Sequence, residues 1–231
     1  MVARSSFYPL EGIKFFLFHP SLWKKCFCGL VIMVIVALGS LVGFSFLISP
    51  TSNLLKNHGW PGWLAIIMCI LFMIVESALF TIIFSLIFLP ILQDQIFAHT
   101  IKLKGYKESI LDRPAQGMGW KIFIGSIAYA LIQVLTMLLT IPLHLIPVFG
   151  TITYCYVNGL VFAWGLRLSD LMPFRGLSFT QTRHHVLKNK WEYMSFGSVA
   201  FALEMIPFLN WIFIFTNVVG AALWAIDDSP H

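Results

Sequence analysis

The sequence predicts an all-α integral membrane protein with two spanning helices, two Ile-Pro helical hairpins of which the second is re-entrant, and amphipathic helices along the interface. Three observations predict it. Hydrophobic residues make up 58% of the 231 residues and charged residues 11%, with a mean hydropathy of +0.84, whereas soluble domains carry roughly a quarter charged residues. The apolar residues come in long runs bounded by charges, not in short periodic stripes. Basic residues gather on alternate connections, as the positive-inside rule requires of a multi-pass chain. One membrane domain over residues 1–231 follows.

Taken in order, Phe7 to Trp23 mixes apolar and basic residues like an interfacial helix. No charge lies between Lys25 and Lys56, and residues 27–49 are enough to cross a ~30 Å core at ~1.5 Å per residue. This run starts too late and is too long for the apolar region of a cleaved signal peptide. Between Lys56 and Asp94 the only charge is Glu76, so residues 63–92 form a second span, with Trp60 and Trp63 in the aromatic belt. Pro90 is expected to end or kink it. Gln93 to Leu111 then runs along the cytosolic headgroups.

From Lys121 to Arg167 no Asp, Glu, Lys or Arg intervenes, too long a stretch for one crossing. Its turn signal is Ile146-Pro147-Val148-Phe149-Gly150, with Pro142 upstream. The hairpin covers residues 122–168, and its limbs suit spanning and re-entry alike. Phe179 to Tyr193 is another interfacial segment. Residues 193–226 form the second hairpin, turning at Ile206-Pro207-Phe208-Leu209-Asn210. Its outgoing limb, Ser195 to Met205, rises only about 17 Å as a helix, so it is expected to re-enter. Each returning limb carries an asparagine, Asn158 and Asn217, which marks a weak internal repeat.

The net charge of +5 does not point to nucleic acid, because no segment joins a basic stripe to a soluble fold. It reports topology instead. Arg4, Lys14, Lys24 and Lys25 precede the first span; Lys102, Lys104, Lys107, Arg113 and Lys121 follow the second; Arg167, Arg175, Arg183, Lys188 and Lys190 separate the hairpins. Lys56 alone lies on the other side, which puts both termini and both long connections in the cytosol.

Glu76 is the first functional candidate, since a carboxylate within a span is costly. Burial among helices, uncharged or paired, is the expected environment. Glu204, near the second turn, is expected to line the floor of a re-entrant cavity or to cap backbone donors. His144, between Pro142 and Pro147, fits a hydrogen-bonded turn residue better than a ligand. The hairpin turns themselves are marked by Pro147, Gly150, Pro207 and Asn210. His184 and His185 are adjacent, so a helix turns them apart, and no metal site is expected. Gly39 and Gly43, and more loosely Gly159 and Ala163, suit close helix packing within the chain or between copies in a homo-oligomer. The four cysteines lack disulfide or metal spacing and read as packing residues, although Cys26 and Cys28 beside Lys24 and Lys25 are candidate palmitoylation sites. No nucleophile motif occurs, so neither enzymatic activity nor a cofactor is expected.

His19-Pro20-Ser21-Leu22-Trp23, two spans, a basic connector and two Ile-Pro hairpins form an order that resembles the family joining bacterial CysZ-type sulfate permeases with eukaryotic etoposide-induced endoplasmic reticulum proteins. The similarity is strongest from Leu145 to Asp227. Tyr8-Pro9-Leu10-Glu11-Gly12 with His19-Pro20-Ser21-Leu22-Trp23 is more similar to fungal members linked to spore-wall assembly and lipid droplets. The resemblance implies a non-catalytic protein of the endoplasmic reticulum and lipid-droplet system with membrane lipids as partners, or alternatively a permease for a small anion such as sulfate. Bacterial members carry Pro-Gly-Leu-Arg where this chain has Pro20-Ser21-Leu22-Trp23, so Ser21, Lys24 and Lys25 are what remains of an anion-binding edge. Half-helices beginning near Gly150 and Asn210 would direct positive dipole ends at a midplane site in that alternative.

Overall fold

A computed structural model of the chain describes residues 2–105, 119–146, 148–173 and 175–228. Among them every regular element is helical: α1 (Val2–Ser5), α2 (Tyr8–Phe18), α3 (Pro20–Ser45), α4 (Ile48–Asn57), α5 (Gly62–Leu103), α6 (Gly119–Thr140), a 3-10 turn (Ile141–Leu145), α7 (Phe149–Leu171), α8 (Phe179–Lys188), α9 (Lys190–Glu204) and α10 (Asn210–Asp227). The chain divides into two units, one of residues 24–92 and one of residues 1–23 with 93–231. Helices long and apolar enough to cross a membrane are Pro20–Asn57, Gly62–Leu103, Ile124–Leu143 and Asn210–Asp227. The expected all-α membrane class is therefore what the structure has.

In the unit of residues 24–92, the first span does not stop at Ser49. A tight turn at Phe46 and Leu47 passes straight into α4, whose last turn carries Lys56. Pro90 does not end α5 either. The helix continues through it to Leu103, since a proline costs one backbone bond and a long apolar helix retains the rest. The two spans meet through hydroxyls: Ser40 Oγ lies 2.7 Å from Ser77 Oγ and 3.4 Å from Thr81 Oγ1. Phe44 packs edge-on against Phe80 nearby.

This contact face corrects the expectation for Glu76. Ser77 turns inward and is buried, and Glu76, about 100° round the helix, is exposed. Gly39 and Gly43 do not pack within the chain among the described residues, where a Cβ at either would meet no atom within 4 Å, which leaves packing between copies, the other expectation for this pair.

In the other unit, α6 and α7 form the first hairpin and α9 and α10 the second. Their limbs of 22 and 23 residues, then 15 and 18, rise about 33, 35, 22 and 27 Å at ~1.5 Å per residue. In each hairpin one limb, α6 or α10, is both long and apolar enough to cross a membrane, and its partner, α7 or α9, does not meet both conditions. The hairpins cross where α7 meets α9, with backbone against backbone. A Cβ on Gly197 would lie 1.8 Å from the Gly159 carbonyl oxygen, and one on Gly159 would lie 2.5 Å from the Ser198 nitrogen. Ala163 is fully buried one turn on, so this small-residue pair does serve close packing.

The N-terminal segment is more than an interfacial helix. It breaks at His19, Pro20 starts α3, and α2 docks on α10 by Tyr8, Pro9, Gly12 and Phe16. At Gly12 a Cβ would come within 2.4 Å of the Thr216 carbonyl oxygen. Phe7, Leu10, Lys14, Leu17 and Phe18 face outward.

The two turns share one backbone device. Val148 and Phe208, each the residue after the proline of an Ile-Pro pair, have φ of 63° and 65°. Neither is glycine, so each conformation costs on the order of 1–3 kcal/mol that the hairpin packing must offset. Gly150 is needed for a different reason: its Cα passes so close to the Leu143 carbonyl that a Cβ would sit 1.7 Å from the oxygen. Pro147 lies outside the described residues, as does the His144 side chain, though His144 belongs to the 3-10 turn.

Candidate functional site

The polar residues of the crossed hairpins collect in three places, one near each turn and one at the opposite ends of α7 and α10. Near the turns, the paired asparagines do equivalent work. Asn158 Nδ2 donates to Thr140 Oγ1 at 2.8 Å and to the Tyr154 carbonyl at 2.9 Å. Asn217 Nδ2 donates to the Ala200 carbonyl at 2.9 Å and to Glu204 Oε1 at 3.1 Å. Each returning limb thus clamps the outgoing one by a buried side-chain amide. Glu204 accepts from this clamp. The Asn210 and Asn217 side-chain oxygens are buried without a partner among the described residues, a cost of about 1–3 kcal/mol each unless water reaches them.

At the far ends lies a group of charges that sequence reasoning assigned to topology alone. Arg167 is fully buried, and its Nη2 donates to Asp170 Oδ2 at 2.7 Å and to Asp228 Oδ2 at 3.0 Å. Arg175 completes the group, with Nε 3.1 Å from Asp170 and Nη2 3.1 Å from Asp228. The Arg167 guanidinium also lies over the Trp224 ring, 4.5 Å from its centre, and Trp224 packs on Tyr193 and Phe196. Arg167 Nε and Nη1 and the Tyr193 hydroxyl find no partner among the described residues.

Asp227, the neighbour of Asp228, faces the other way. It accepts from Arg4 and from the Tyr8 hydroxyl, both at 2.8 Å. Two carboxylates at a helix C-terminus oppose the helix dipole, and here each is matched by arginine. The signal in the sequence was the i,i+3 spacing of Arg167 and Asp170 beside a closing Asp-Asp pair. Beside this group His185, half-buried and edge-on to Tyr193, has its pKa lowered, chiefly by burial.

The remaining expected residues are scattered. Ser21 Oγ pairs with His99 Nε2 at 3.2 Å; Lys24 is exposed and Lys25 half-exposed. Of the palmitoylation pair, Cys28 is exposed and Cys26 buried. His184 is exposed and His185 half-buried, turned apart as helical geometry demands, and no group of three metal-binding side chains occurs among the described residues. Nor do the half-helix starts offer free donors throughout. The Gly150 and Ile152 amides bond to Ile146 and Val148, and the Asn210, Ile212 and Phe213 amides bond to Ile206 and Leu209.

No curated protein matches the chain significantly. A profile described as "Sulfate transporter CysZ/Etoposide-induced protein 2.4" matches residues 8–214, from the docked α2 through both hairpin turns and into α10. The chain, with its two spans and its crossed Ile-Pro hairpins, belongs to the CysZ and etoposide-induced protein family.

Proposed function

We propose that the chain is a non-catalytic, membrane-embedded organising protein of the endoplasmic reticulum and lipid-droplet system, of the kind used in fungal spore-wall assembly. One observation carries this reading: the hairpin apices expose large apolar side chains, Ile146, Val148 and Phe149 on one and Phe208, Leu209 and Trp211 on the other, with Phe208 91% exposed. Such apices suit lipid and not water, which favours hairpins that enter from the cytosolic side and end within the membrane. The polar groups behind them are largely spent on one another, in the asparagine clamps and the arginine-aspartate group. The two spans hold the chain in the bilayer, so wedges of this kind would act where that bilayer adjoins a droplet.

The test is partition between bilayer and droplet in cells fed oleate, with sulfate uptake by the purified protein in liposomes as the opposing assay. Enrichment at droplets that is lost on Phe208→Asp, with no uptake, supports the reading. Uptake above protein-free liposomes, with no droplet enrichment, refutes it in favour of an anion permease. One feature favours that second reading, the buried Arg167 nitrogens without a partner. The occupied amides at the starts of α7 and α10 weigh against it.

A further inference from the structure

We propose that the outward face of α8 and the first turn of α9 is a docking surface for the anionic headgroups of the bilayer that holds the protein. It rests on the reading of a lipid-organising membrane protein and adds the class of lipid. The inner face of α8 is fixed. Thr182 and Val186 are buried, Trp164 Nε1 donates to Thr182 Oγ1 at 3.3 Å, and Phe179 stacks on Trp164 at 5.2 Å. Ser178 and Gln181 close a capping box that fixes where the helix starts, and the buried Thr182 and Val186 fix which face turns inward.

What this anchoring turns outward is consistent in sign. On α8, Arg183 and Leu187 form one row at i,i+4 spacing and His184 and Lys188 the next, and Trp191 follows in the first turn of α9; all five are exposed. Lys190 lies over the Trp191 ring, 5.3 Å from its centre. From Phe179 to Trp191 there is no acidic residue, and Glu192 next to it is half-buried. Cations flanking an exposed leucine and tryptophan match the headgroup zone, where charge meets phosphate and the apolar row reaches the acyl boundary. A free polar ligand or an acidic protein would gain nothing from Leu187 and Trp191 at 49% and 61% exposure. The face also continues into α9, the limb that leads to the exposed apex at Phe208, so the bilayer lies next to it.

The full chain in phosphatidylcholine nanodiscs, doped with dansyl-phosphatidylserine or dansyl-phosphatidylcholine, reports selectivity by energy transfer from its tryptophans. The expected result is preference for the serine lipid, falling about fivefold for each of Arg183→Gln and Lys188→Gln and about thirty-fold for the pair. Lys56→Gln, on the opposite loop, should leave it unchanged. Molar salt should collapse the preference of the unaltered chain, a control that needs no variant to fold. Equal transfer from both lipids, or equal loss with Lys56→Gln, overturns the proposal. So does displacement of the lipid by soluble polyglutamate, which would assign the face to an acidic protein. A chain that transports sulfate yet keeps this selectivity refutes the proposed function and leaves the surface standing; droplet enrichment without selectivity does the reverse.

Discussion

Replacing Asp170 by asparagine tests whether the buried arginine is held by charge. Arg167 is 0% exposed and Asp170 8%, and they meet at 2.7 Å; the other carboxylate, Asp228, is 32% exposed and shared with Arg175. Asp170→Asn therefore leaves a desolvated guanidinium with half its counter-charge. Removing one partner of a buried pair costs about 3–5 kcal/mol, and at ~2–4 °C per kcal/mol for a chain of this size the melting point should fall by about 10 °C. Arg167→Met in the same background takes away the orphaned charge, including the unpartnered Nε and Nη1, and keeps apolar bulk over Trp224. The double variant should recover most of the loss. Thermal aggregation of detergent-solubilised protein, followed by fluorescence-detected gel filtration, measures all four members of the cycle. The reasoning fails if Asp170→Asn melts within 2 °C of the parent, roughly the 0.5 kcal/mol of an ordinary surface change. It fails equally if the double variant loses the sum of the two single effects.

Gly197→Ala should abolish a monodisperse gel-filtration peak, because its Cβ would strike the Gly159 carbonyl, while Gly39→Ala and Gly43→Ala, with open space around them, should elute unchanged. Glu76→Gln should fold and should not lower the melting point, since Glu76 is exposed on a span where a neutral amide costs no more than a carboxylate; a loss of more than about 2 kcal/mol would show that a second chain covers it. A cysteine at Asn210 should resist impermeant reagents from the lumenal side of sealed microsomes if the second hairpin re-enters, and rapid lumenal labelling there would mean that it crosses. Burial lowers the His185 pKa below its unfolded value of about 6.5. Stability from the neutral ring is thus present above that value and declines as pH falls through the folded pKa, so His185→Gln should flatten the melting-point decrease below pH 6.5.

How much of this was legible in the sequence depended on how far each signal reaches. Long charge-free runs bound the spans because lipid tolerates little else, and the Ile-Pro signals located both turns. The repeated asparagines were visible as a weak repeat, and the structure gives them a shared task. Of the two expected effects of Pro90, ending the helix does not occur, because a long helix in apolar surroundings outlasts the loss of one backbone bond. Glu76 misled for an angular reason: a residue 100° from the contact face is exposed, and no single-chain pattern showed that Ser77 carried that face. Arg167 was missed because a charge at the edge of an apolar run is ordinarily a boundary marker; only the fold brings Asp228 across from α10 to enclose it.

The docking of α2 on α10 joins segments from the two ends of the chain, so it sets an order of assembly. Until α10 has left the ribosome, Gly12 and Tyr8 have no surface to meet, and Arg4 has no Asp227. The N-terminal helix therefore waits, apolar face outward, while every other membrane segment is inserted. Closure of the hairpin unit is a late, post-insertion event, and a nascent chain truncated before Asn210 should keep α2 open to protease while its two spans are already in place.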